Sequence, residues 1–100
     1  MSAWLDKVSS NIFEGVKINR LRRLPSGDAY VIIFAKMLFH CKPDGFVCEG
    51  EGYHFFANEI GEEYEMLIMA IAILRELCLI TLNEKEDVYI HQRILNGDKT

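Results

Sequence analysis

The chain has 100 residues, half of them hydrophobic and 26% charged, with a formal net charge of −4. That length suits one domain with a single core, so residues 1–100 are expected to form one unit, with 1–10 and 96–100 flexible or peripheral. The three cysteines lack a CxxC spacing and Met1 to Ser10 holds no apolar stretch of signal-peptide length, which argues against a disulfide framework and for reduced thiols in a cytoplasmic protein.

The first element begins at Trp4 and Leu5 and is interrupted by Asn11-Ile12-Phe13-Glu14-Gly15. From Lys17 to Leu24, the apolar residues Ile18, Leu21 and Leu24 recur every third position, which predicts a short amphipathic helix. Its outer face carries Lys17, Arg20, Arg22 and Arg23, and Pro25 ends it. Ser26 is the expected N-cap of the next helix, with Asp28 suited to the dipole of the first turn. Tyr30, Ile33, Phe34, Met37, Leu38 and Cys41 then form the clearest helical stripe in the chain. Pro43-Asp44-Gly45 carries turn chemistry and stops the helix.

Phe46-Val47-Cys48 reads as a short strand and Glu49-Gly50-Glu51-Gly52 as a loop. Tyr53 to Ile60 reads as a helix with Gly61 at its C-terminal cap. A long helix over Glu62–Leu77 follows, containing nine consecutive apolar residues from Met66 to Leu74. That run is far below the ~20 residues needed to cross a bilayer, so no membrane association is expected. Leu79 to Leu82, the polar turn Asn83 to Asp87, and Val88 to His91 read as strand, loop and strand. The predicted class is α+β, and helices followed by a hairpin give the outline of a winged helix, a fold used mainly to bind nucleic acid or protein.

The net charge conceals an asymmetry. Residues 1–43 hold seven Lys/Arg against three Asp/Glu, for +4, whereas residues 44–100 hold four against twelve, for −8. Lys17, Arg20, Arg22 and Arg23, with Lys36 and Lys42 nearby, are therefore the candidate DNA-binding residues. Arginine forks engage phosphate oxygens in pairs, although the same residues also suit a solvated helix face. The overall acidity counts against tight non-specific DNA binding.

The long helix occupies the place of a helix-turn-helix reader, yet no Lys or Arg lies between Pro43 and Leu74. Base edges are read by Arg, Lys, Asn or Gln, so its carboxylates argue against major-groove reading. Leu67, Ala70, Ile71, Leu74, Leu77 and Cys78 make one apolar face of this helix, and Met66, Met69 and Ile73 make a second. Two fates are open for the second face: enclosure within the chain, or an oligomer interface.

Cys41, Cys48 and His54 match no common zinc spacing, and Cys41 and Cys78 fall on apolar stripes, so buried thiols are expected and no metal or cofactor is. The absence of a nucleophile elbow, P-loop or GxGxxG points to a non-catalytic protein.

The stretch Asn11-Ile12-Phe13 through Ile18-Asn19-Arg20-Leu21-Arg22, then Gly27-Asp28-Ala29-Tyr30 leading into Ile32 to Leu38, resembles the N-terminal domain of phage replisome organizer proteins. So do Gly45-Phe46-Val47, Phe56-Ala57-Asn58-Glu59-Ile60 and Leu74 to Ile80, and together these cover roughly residues 8–92. The resemblance implies a winged-helix domain of a phage or prophage replication initiation protein, similar in architecture to the N-terminal domain of DnaD-like primosome proteins. It also implies origin DNA as a ligand, a helicase loader as a partner, and self-assembly. Two other readings of the sequence stay open: a protein-interaction module without DNA contact, and a small transcriptional regulator.

Overall fold

The computed structural model of the protein describes residues 16–95. The expected element at Trp4 and Leu5, its interruption at 11–15, the tail 96–100 and the side chain of Lys17 lie outside the described residues. Helix α1 (Val16–Arg22) buries Ile18 and Leu21 completely, as their spacing predicts. Leu24 does not continue that stripe. The chain tightens into three-residue turns there, with Arg23 N–H bonded to Arg20 C=O and Leu24 N–H to Leu21 C=O, and Leu24 is left 40% exposed.

The turn into α2 (Gly27–His40) overrides local capping preference. Gly27 packs so closely on α1 that a Cβ would stand 2.2 Å from the Leu21 carbonyl oxygen. Ser26 is thereby forced into the left-handed region (φ 61°, ψ 21°) and makes no side-chain cap bond. An N-cap requires extended backbone for its hydroxyl to reach the helix N–H groups, so the expectation for Ser26 fails. Its carbonyl oxygen instead accepts from Ala29 and Tyr30.

Along α2 and into its C-terminal cap the full predicted stripe, Tyr30, Ile33, Phe34, Met37, Leu38 and Cys41, is buried. Removing a side chain such as Phe34 from water contributes roughly 1.5–3 kcal/mol, and α1, α4 and β1 all pack on this helix. The Pro43–Gly45 turn closes with Gly45 N–H on Lys42 C=O and the Phe46 amide on the Asp44 carboxylate, leading into β1 (Phe46–Cys48).

A three-residue 3₁₀ turn (Gly50–Gly52) opens α3 (Tyr53–Ile60). Gly61 ends α3 at φ 72°, with its N–H on Asn58 C=O and the Glu62 N–H on Ala57 C=O. This pair of bonds is a Schellman closure, which favours glycine because the left-handed position penalises a Cβ.

Helix α4 (Tyr64–Glu76) is two residues shorter at its start than the sequence predicts, because Glu62 is consumed by the Schellman closure and Glu63 is extended. At its end a second such closure forms, with Cys78 N–H on Arg75 C=O and Leu79 N–H on Leu74 C=O. Cys78 takes the left-handed position (φ 61°) and is exposed, while Leu79 turns inward and is fully buried. The expectation that Cys78 lies on a buried stripe is therefore wrong: the helix ends before that position is reached.

Strands β2 (Ile80–Leu82) and β3 (Val88–Ile90) form the predicted hairpin, slightly shorter than the sequence suggests. β1 adds to its far side, so the antiparallel sheet has the order β1-β3-β2, with Thr81 and Phe46 both opposite Tyr89. A short α5 (Gln92–Leu95), which the sequence reading lacks, then buries Ile94. The architecture is α+β and compatible with a winged helix: α2, β1, α3, α4 and then the β2–β3 hairpin. Among the described residues no helix is long and apolar enough to cross a membrane.

Burial pushes the Cys41 thiol up to about 11 and the Cys48 thiol up to about 12, with Asp44 and Asp87 adding to the respective shifts. The thiolate is the reactive form, so these two should be inert while Cys78 is open. A thiol reagent near pH 8 should modify Cys78 in a fast phase visible by intact mass, and Cys78→Ser should remove that phase.

Candidate functional site

The arginines expected to bind DNA come together at one corner of the molecule. Arg20 and Arg22 lie on α1 and Arg23 on the turn that follows, all three exposed, beside the N-terminal end of α2. Among the described residues none of the three is in an ion pair. Lys36 and Lys42 do not join them. Lys36 is half-buried and donates to the Glu62 carboxylate at 2.6 Å, clamping α2 to the α3–α4 turn. Lys42 follows the opposite end of α2, a helix of 14 residues and thus about 21 Å long. Its ammonium lies 5.3 Å from the centre of the Phe46 ring.

Helix α4 buries Leu67, Ala70, Ile71 and Leu74. The second apolar face divides. Met66 and Ile73 are partly buried and pack against the core, whereas Met69 remains 53% exposed. Glu65, Met69, Ala72 and Glu76 are all exposed and fall at i, i+4, i+7 and i+11, so they form one continuous outer ridge. An open groove of about 340 Å³ runs between α4 and the hairpin, lined by residues including Tyr53, Tyr64, Ile68, Ala72, Arg75 and Leu82. At its edge the His54 ring stacks on Tyr64 with 3.6 Å between centroids.

The hairpin loop is fastened rather than free. Asp87 accepts the Gly50 N–H at 2.8 Å through one carboxylate oxygen and the Asn83 amide at 3.0 Å through the other. Asn83 Oδ1 in turn accepts the Lys85 and Asp87 backbone N–H groups. The Tyr53 hydroxyl donates to the Glu86 carbonyl, and a Cβ on Gly50 would come within 2.0 Å of the Lys85 carbonyl oxygen. Burial pushes the Tyr53 hydroxyl up to about 12, so it stays protonated and donating at neutral pH. This latch was not legible in the sequence, although Asn83 and Asp87 at a turn carry its only advance signal. The loop's exposed charged side chains are Glu84, Lys85 and Glu86, two acidic and one basic.

His40 Nδ1 lies 3.3 Å from Glu59, and among the described residues no group of three His, Cys, Asp or Glu is placed to hold a metal.

Two outcomes follow from this geometry. Met66→Lys should destabilise by about 2 kcal/mol because it places an ammonium against the core, whereas Met69→Lys should change stability by less than about 0.5 kcal/mol; thermal unfolding of both variants checks the contrast. The Gly50 N–H and then the Asn83 amide hold the Asp87 carboxyl below its ordinary value. A carboxyl depressed in the folded state stabilises above its unfolded pKa, near 4, and loses that contribution as pH falls through the lower folded value. Acid titration below pH ~4 should therefore loosen the loop in the wild type, read as a falling protection factor of the Gly50 amide against its intrinsic exchange rate, and Asp87→Asn should flatten that dependence.

No match to this chain is found among curated proteins or among solved structures. The family model described as the N-terminal phage replisome organiser matches residues 4–96, which includes α1, the arginine corner, α4 and the latched hairpin. The chain belongs to the family of N-terminal phage replisome organiser domains, which gives it a role in phage DNA replication.

Proposed function

We propose that this domain acts in phage replication initiation as a non-catalytic module, in which the arginines of α1 hold DNA phosphates while α4 and the hairpin make protein contacts. Origin duplex is the DNA and a helicase loader the partner that the family's role favours. The observation that carries this reading is the separation of charge onto different elements. Arg20, Arg22 and Arg23 are exposed and unpaired among the described residues, whereas α4, at the reader position, exposes Glu65 and Glu76. Carboxylates on that helix repel a phosphate backbone and accept from few base edges, so groove reading by α4 is disfavoured. Contact through α1 is of the positioning kind, made to phosphates without reading sequence.

Fluorescence anisotropy with labelled duplex tests the DNA half. Three phosphate contacts predict a slope of log affinity against log salt of about −3. Arg20→Glu with Arg23→Glu should lower affinity at least about tenfold at low salt. Absence of binding at low salt would remove the DNA half and leave a protein-interaction module, the reading that the net charge of −4 favours.

A further inference from the structure

We infer that the cavity between the C-terminal end of α2, β1 and α3 binds a basic peptide segment of a partner protein, with an arginine side chain held between the Phe55 ring and the Glu49 carboxylate. The site shares no residue with the arginine corner or with α4, so it does not depend on the role assigned to either.

The last residue of α2, the turn after it, β1 and α3 wall a cavity of about 370 Å³, whose lining includes the rings of Phe46, Phe55 and Phe56 and the carboxylates of Glu49 and Glu59. That volume is at the small end for ligand pockets and suits one long side chain with its backbone. Phe55 is 73% exposed, the most open large apolar side chain among the described residues. A phenyl ring has no polar atom for water to satisfy, so covering it is favourable. Phe56 is buried, and its ring stands at 88° to the His40 ring with 5.7 Å between centroids.

Charge selects the occupant. Glu49, Glu59 and Asp44, whose carboxylate accepts the Phe46 N–H, stand against the single ammonium of Lys42. His40 Nδ1 lies 3.3 Å from Glu59, whereas Glu49 is in no ion pair among the described residues. The excess of carboxylates repels a phosphate and attracts a cation. The cavity also lies at the C-terminal end of the 14-residue helix α2, where the helix dipole adds negative potential.

The rings favour the same sign, since the face of a phenyl ring attracts a cation. The protein makes this contact once by itself: the Lys42 ammonium lies 5.3 Å from the centre of the Phe46 ring. Phe46 is thereby taken, which leaves the exposed ring of Phe55 for a cation from outside. A guanidinium suits it better than an ammonium, because it is planar and more weakly hydrated. It can stack on a ring while its N–H fork meets a carboxylate.

Two-dimensional amide NMR on the intact chain tests this, with a capped heptapeptide that carries one central arginine among glycines and serines. The peptide should shift the amides of Glu49, Gly52 and Phe55, and the same peptide with norleucine at the centre should not. Phe55→Ala should weaken binding about fivefold, and Glu49→Gln about threefold. Both residues are exposed, so circular dichroism should show an unchanged fold. Lys42→Ala should strengthen binding, because it removes the opposing charge and uncovers the Phe46 ring. Weaker binding by that variant would mean that the cavity takes an anion, and overturns the inference. Shifts confined to α4 and the hairpin, equal shifts with the norleucine peptide, or none at millimolar peptide overturn it as well. A single-stranded oligonucleotide that moves these amides at the same salt, where the arginine peptide does not, would assign the cavity to nucleic acid instead.

Discussion

Burial of the α2 stripe is the constraint on which the remaining arrangement depends. Ile33, Phe34 and Met37 are fully shielded from solvent, and α1, α4 and β1 each cover part of this one helix. Its apolar area gives the largest return against the conformational entropy lost on ordering the chain. Among the described residues no polar or charged residue is buried. Every described Asp, Glu, Lys, Arg and His side chain is consequently left at least partly open to solvent, and the way the elements are wrapped around α2 decides where each sign of charge appears.

Tight connections then set the directions of those elements. Among the described residues three non-glycines, Ser26, Cys78 and Glu86, adopt positive φ, each at a turn where the chain must reverse. Such conformations cost on the order of 1 kcal/mol each and persist because the surrounding packing determines them. At Ser26 the packing is Gly27 against α1; at Cys78 it is the inward turn of Leu79; at Glu86 it is the loop held by Asp87 and Tyr53. The last of these fixes the hairpin to the start of α3, so it forms one wall of a groove instead of an independent arm.

Packing places the two signs of charge on different elements. The arginines of α1 are rigidly carried on a helix anchored by Ile18 and Leu21, and the glutamates of α4 are carried on a helix anchored by Leu67, Ala70, Ile71 and Leu74.

Helices α1 to α4, the hairpin and most of the core were legible from the sequence, because a period of 3.6 or 2 in apolar side chains directly reports which face is buried. The stripe from Tyr30 to Cys41 and the Gly61 cap are examples of such local determination. The basic group on α1 and the acidic character of α4 were also evident, since charge needs no fold to be counted. Tertiary structure decided what depends on the meeting of distant segments. It took Ser26 out of its capping role through the approach of Gly27 to Leu21, and it turned Cys78 outward by ending α4 early. It separated Lys36 and Lys42 from the arginines, gave Met66 and Ile73 to the core while leaving Met69 outside, and joined Asp87 to Gly50. Periodicity specifies a face, but only packing specifies what covers it.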